Sequence, residues 1–250
     1  MPTTGGVCLA GYAPALRPGP VYPWGADTAM DSLTAVWNAL PYILGGCMVT
    51  IASVGLALGM GLVLGVPMAV AQVYGARPLR RLVGLYVWFF RGVPILVLLF
   101  LGFGLFVSLQ LPVEPFLVSC LVLGCTSTAY QSQIYRGAIL SLPQGQLKAA
   151  RALGMSDAVA RRCIILPQAL RLSIPGFANE FSILLKDSAI CYVLGTQEIM
   201  ARTNFVASRT HEHLALFAAA GVLYFVITLM GLYLLRRLEH KFHVPGYVGM

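Results

Sequence analysis

Charge is the first thing this sequence has little of. Only 10% of its 250 residues are Asp, Glu, Lys or Arg, against 58% hydrophobic. A soluble domain carries about 25% charge, so water is not the solvent for most of this chain. Catalytic patterns are missing too. There is no GxxxxGK[ST] loop to cradle nucleotide phosphates, no HExxH and no GxSxG. Bound ATP by that route, zinc-protease chemistry and serine-hydrolase chemistry are therefore excluded, and a multi-pass membrane enzyme is disfavoured. The six cysteines, at 8, 47, 120, 125, 163 and 191, are scattered and mostly lie in apolar runs. They form no metal spacing and no disulfide framework, and read as small core residues. His211 and His213, like His240 and His243, read as solvated surface groups, so neither a metal nor any other cofactor is expected. The first 30 residues have no basic stretch followed by an apolar one, which excludes a cleavable signal peptide of the usual form. The formal net charge of +8 does not signal nucleic acid, because the bases sit at the ends of apolar runs.

What is there is a set of long apolar runs. Tyr42 to Ala71, Gly92 to Val113, Pro115 to Tyr135 and Leu214 to Leu235 contain no Asp, Glu, Lys or Arg. Crossing a hydrocarbon core of about 30 Å takes roughly 20 helical residues. In lipid the backbone must satisfy its own hydrogen bonds, so such runs are helices. The second span begins near Leu82, and a further one, Gln168 to Leu194, carries charges. The expectation is an all-α polytopic membrane protein with five transmembrane helices; a sixth would require the second segment to split, which its length does not favour. Residues 1–41 read as an irregular or interfacial external segment, with a short interfacial helix over 31–39 and Trp24 and Trp37 in the headgroup zone. Residues 42–236 form the membrane domain and 237–250 an inner tail. In the first span Gly55 and Gly59 make a GxxxG pair, read as ordinary packing within the chain ahead of a dimer seam.

Orientation follows from the bases. Arg77, Arg80, Arg81, Arg136, Lys148, Arg151, Arg161, Arg162, Arg171, Arg236, Arg237 and Lys241 fall on one side of this arrangement, and Arg17, Arg202 and Arg209 on the other. The positive-inside rule then puts the N-terminus out and the C-terminus in.

Two polar features interrupt the apolar pattern. The first is the loop 137–167. Gln146 to Leu153 (QLKAARAL) consists of strong helix formers. Gly154 supplies a left-handed helix end. Ser156 can cap a second helix with Asp157 in its first turn, and Pro167 should stop or kink that helix. The result is a rigid knob of two short helices. The second feature is charge inside the spans. Arg91 lies ten residues beyond Arg81, about 15 Å along a helix. Gly92 and Pro94 should break or bend the chain just after it. Glu180 and Asp187 are seven residues apart, on one helix face, with Asn179 and Lys186 on a neighbouring face. Charges at such depth mark transport routes or hold a bundle together. Two carboxylates suit a cationic substrate, while Arg91 or Arg136 suits an α-carboxylate through a planar fork. The alternative is structural pairing of Lys186 with Asp187, or of either with Arg91.

The loop residues Lys148-Ala149-Ala150, Gly154, Ile164, Leu166 and Pro167 resemble the cytoplasmic EAA loop of binding-protein-dependent ABC importer permeases, with Lys148 in place of the usual Glu. Phe90-Arg91-Gly92-Val93-Pro94 is similar to the FRGTP-type signature of the polar amino-acid permeases. Ala129 to Gly137 resembles their A-Y-x-x-E-x-x-R-G, with Gln133 replacing Glu, and Asn179 to Ser188 their N-E-F-x-x-L-L-K-D segment. The resemblance spans about four-fifths of the chain. It implies the membrane subunit of a type I importer in a bacterial or archaeal cytoplasmic membrane, with no enzymatic activity of its own. Such a subunit pairs with an identical or sibling permease. It docks Gln146, Lys148, Ala149, Ala150, Leu153, Gly154 and Met155 onto a cytoplasmic ABC ATPase dimer, and receives its amino acid from an external solute-binding protein. Glu180, Asp187, Arg91, Arg136 and Asn179 become candidates for substrate contact, with a lean toward basic amino acids. An ATPase-independent channel or secondary transporter using the same intramembrane charges is the competing reading.

Overall fold

The computed structural model describes residues 32–241. The expectations for residues 1–31 and 242–250, including those on Cys8, Arg17, Trp24 and His243, lie outside the described residues. Within them the chain is helical throughout and has no strand. Helix α1 (Ser32–Tyr74) runs 43 residues without a break. The short helix expected near residues 31–39 is therefore the first turns of α1 rather than a separate interfacial element. Pro41 lies inside α1, yet the helix continues through it, because Ala39 and Ile43 pack against Ile199, Val206 and Leu216.

The second apolar segment does split. Helices α2 (Arg77–Gly92) and α3 (Ile95–Ser108) are bent against each other by 111°. The cause is local: Pro94 has no N–H, and the residue before a proline is driven out of the helical region. Val93 accordingly sits at φ −95° and ψ 133°. Helix α4 (Pro115–Ser141) is the central element, packed along α1 from Val54 to Ala69 and carrying Leu123, Ser127 and Tyr135 into the interior.

After the loop helices α5 (Gly145–Ala152) and α6 (Asp157–Ala160), the chain passes through a π-turn over Arg161–Ile165 into α7 (Leu166–Leu172). The helix does not stop at Pro167. The wider π register closes on Leu166, whose N–H reaches Arg161 O, and it absorbs the donor that Pro167 cannot supply. Helix α8 (Ile174–Ser188) follows, then a 3₁₀ stretch over Ala189–Leu194. The expected fourth span is thus three helical pieces. The polar stretch that carries Arg202 and Arg209 forms helix α9 (Ile199–Thr210), folded onto α1 and α10 with Ile199, Val206 and Ala207 buried. Helix α10 (His213–Lys241) closes the bundle.

Among the described residues α1 and α10 are each long and apolar enough to cross a membrane, and α2 with α3 is so if the bent pair counts as one span. Helix α4 has 27 residues, but its second half is rich in Ser, Thr and Gln. At one end of the bundle Ser32 Oγ donates to Glu212 Oε2 at 2.7 Å, joining the start of α1 to the start of α10. At the other end the Arg161 guanidinium lies 4.4 Å from the centre of the Tyr74 ring, joining the loop to the end of α1.

Candidate translocation site and coupling loop

Glu180 is 3% exposed, in the middle of α8 and facing α4. Its hydrogen bond comes from Ser127 Oγ, which donates to Glu180 Oε1 at 2.9 Å. Ser127 in turn accepts from Gln131 Nε2 at 3.0 Å, and the same amide nitrogen donates to the Leu58 carbonyl of α1 at 3.1 Å. A chain of hydrogen bonds therefore runs from the α1 backbone through α4 to a buried carboxylate.

Asp187 is half-buried, two turns further along α8, and Lys186 is exposed. Among the described residues no ion pair joins Lys186 to Asp187, or either of them to Arg91. Arg91, in the last turn of α2, holds its guanidinium 4.9 Å from the centre of the Tyr130 ring of α4. That is a cation–π contact which leaves its donors unspent. Arg136 stands apart. It lies six residues beyond Tyr130 on α4, is exposed, and donates to Gln133 Oε1 at 3.3 Å. Gln133 itself donates to Gln72 Oε1 at 2.8 Å, so the amide at this position links α4 to α1. Asn179 is exposed on α8. Glu180 and Asp187 thus share one stripe of α8, while Arg91, held over Tyr130, is exposed, as are Arg136 and Asn179.

Reading the sequence missed Ser127, Gln131 and Gly61. The available signal was the polar run from Thr126 to Gln133 inside an otherwise apolar helix. A Cβ on Gly61 would overlap the Gln131 amide, so glycine is what lets that amide lie against α1.

The loop is built largely as its sequence predicts. Helix α5 ends in a Schellman motif: Met155 N–H donates to Ala150 O at 3.0 Å and Gly154 N–H to Arg151 O at 2.9 Å. Gly154 has the positive φ of 78° that this requires. Ser156 Oγ accepts from Val159 N–H at 3.4 Å, capping α6. Asp157 binds Arg151 bidentately at 2.7 and 2.8 Å and Arg161 at 3.1 Å. The Arg151 hydrogen bonds hold the Asp157 carboxyl below the usual carboxylate range. Gln146 and Gln168 exchange amide hydrogen bonds at 3.0 Å, locking α5 to α7. Lys148, Ala149 and Gly154 face outward, Ala150 is buried and Met155 half-buried. Leu153 is 82% exposed at the tip. The elbow is a stiff object with an apolar point.

A buried carboxylate inside a bundle of apolar helices, with a capped elbow at its basic end, is an arrangement that suits a membrane transport subunit. The family model described as binding-protein-dependent transport system inner membrane component matches residues 61–244, and the chain belongs to that family. The glutamine transport system permease protein GlnP of Escherichia coli is 32% identical over 84% of this chain and 97% of its own. The L-cystine transport system permease protein TcyB of Bacillus subtilis is 33% identical over 86% and 88%. A crystal structure of an amino acid ABC transporter with histidines superposes with a TM-score of 0.78 at 30% identity, covering 86% of this chain and all of that one. The chain is accordingly an amino-acid ABC permease by family.

Proposed function

We propose that this chain is the transmembrane subunit of an ATP-driven importer that moves polar, and in particular basic, amino acids handed over by an external solute-binding protein. The observation that carries the reading is Glu180, a carboxylate 3% exposed in the bundle interior, with Asp187 on the same helix and Arg91 held over Tyr130 of α4. Unpaired charge at such a place is expensive and is kept for a purpose. The buried Glu180 carboxylate can take a cationic side chain, and the Arg91 fork is suited to the α-carboxylate. The relatives' substrates, glutamine and L-cystine, share that α-carboxylate and α-amine.

The chain crosses a bacterial or archaeal cytoplasmic membrane five times, counting α2 with α3 as one crossing and α7, α8 and the 3₁₀ stretch as another. The N-terminal side is out and the C-terminus in, as the basic residues at the loop end of the bundle favour. The elbow from Gln146 to Met155 docks on a cytoplasmic ABC ATPase dimer, and a second permease, identical or sibling, completes the pathway among membrane lipids. Closure of the ATPase dimer on ATP draws the elbows together and opens the cavity outward. The substrate biases the cycle only through its different affinity for the two states.

The test is uptake by the purified complex in liposomes. Glu180→Gln and Asp187→Asn should each lower lysine and arginine uptake relative to glutamine by about ten-fold, the scale of one charge-assisted hydrogen bond. Unchanged selectivity would end the basic-substrate reading. Uptake without ATP, from a preparation in which no P-loop ATPase co-purifies, would establish the channel or secondary-transporter alternative instead.

A further inference from the structure

We infer that Ser127 and Gln131 are positioning residues for Glu180, and that Gln131 makes α1 a working part of the substrate site. The inference rests on the reading of Glu180 as a substrate-binding carboxylate and adds what sets its geometry.

The two residues are one helical turn apart on α4, at 0% and 1% exposure. The Leu58 carbonyl can only accept, which fixes the nitrogen end of the Gln131 amide toward it at 3.1 Å. That nitrogen also serves Ser127 at 3.0 Å, so the Ser127 hydrogen is left for Glu180 at 2.9 Å. The chain of donors has one direction, from α1 to the carboxylate. Its α1 end is seated in a notch. A Cβ on Gly61 would overlap the amide, and one on Gly65 would stand 3.3 Å from the Gln131 Cβ. The amide therefore lies directly against the α1 backbone.

One acceptor in the chain is left over. Gln131 Oε1 is buried and meets no donor among the described residues. An apolar side chain in the notch would avoid that loss, so packing alone does not call for an amide here. The amide is explained by what it orients: its nitrogen engages the Ser127 oxygen, so that the one hydrogen Ser127 has to give is aimed at Glu180.

The experiment measures binding of labelled lysine and glutamine to the purified permease–ATPase complex in nanodiscs, without solute-binding protein, so that the membrane site is read alone. Ser127→Ala should weaken lysine about ten-fold and glutamine less than two-fold. In a Glu180→Gln background it should change nothing further, because the two residues act as one unit. Gln131→Met should shift lysine in the same direction by about three-fold, and Ser127→Thr, which keeps the hydroxyl, should retain the preference. Equal weakening of both amino acids, or Ser127→Ala effects that multiply with those of Glu180→Gln, would reduce these residues to packing and overturn the inference. If Glu180→Gln discriminates between the amino acids and Ser127→Ala does not, the positioning role fails alone. If Glu180→Gln itself leaves both affinities unchanged, the reading of Glu180 fails and takes this one with it. Should Ser127→Ala fail to assemble with the ATPase, the Gln131→Met and Ser127→Thr pair carries the same comparison.

Discussion

At the residue scale the molecule turns on how a carboxylate is kept in a membrane bundle. Glu180 is not neutralised by a salt bridge among the described residues; it is held by one hydroxyl. That leaves it available, which a paired carboxylate would not be. Glycine makes the support possible. Gly61→Ala should destabilise the purified complex by about 1–3 kcal/mol, because the added carbon meets the Gln131 amide. Gly55 and Gly59 differ: a Cβ at either finds nothing within 4 Å. The expected packing of that pair within the chain is therefore not what the described residues show. Gly59→Ala should leave thermal stability unchanged or raise it by about 0.5–1 kcal/mol through helix propensity. A thermal-shift series on the two variants checks both statements, and equal destabilisation would contradict the contact geometry.

At the element scale the elbow is the most determined piece of the chain. A Schellman end, a serine cap, a bidentate Arg151–Asp157 pair and a reciprocal glutamine pair all act on one short segment. None of the exposed contacts is worth much alone; together they leave the segment few ways to bend. Gly154→Pro demands a φ of about −65° where the chain has 78°, so the turn between α5 and α6 cannot form as it stands. The variant should still insert in the membrane, yet lose the coupling of uptake to ATP hydrolysis, read as uptake per ATP hydrolysed by the reconstituted complex. Uptake coupled as in the parent would show that force does not pass through this turn. The broken elements have the same kind of cause. Pro94 bends the second segment sharply, whereas Pro167 is carried by a π-turn, because Leu166 could find Arg161 O in the wider register.

At the scale of the whole molecule, the basic residues of the loop, of the start of α2 and of the end of α10 gather at one end, and the Ser32–Glu212 contact marks the other. Cys163, exposed in the π-turn, reports on this directly. In a chain whose other cysteines are replaced, a membrane-impermeant thiol reagent should label Cys163 in inside-out vesicles and not in right-side-out ones. Labelling from the outside would invert the orientation and remove the elbow from any cytoplasmic motor.

The apolar runs, the basic asymmetry and the elbow were legible in the order of residues, because each depends on contacts a few positions apart. Hydrophobic length speaks for a membrane, and helix caps and a left-handed glycine are local. The same locality made Glu180 and Asp187 visible as one helical stripe. What only the tertiary structure decided was what stands across from them: Ser127 and Gln131 from α4, Leu58 and Gly61 from α1, and the sharp turn that brings Arg91 over Tyr130. It also folded the polar stretch around Arg202 into α9, against α1 and α10, with Glu198 buried and capping its own helix. These depend on which helix faces which. In a bundle whose surfaces are apolar nearly all round, helix pairing is chosen by small notches and buried hydrogen bonds that no periodicity along the chain reveals.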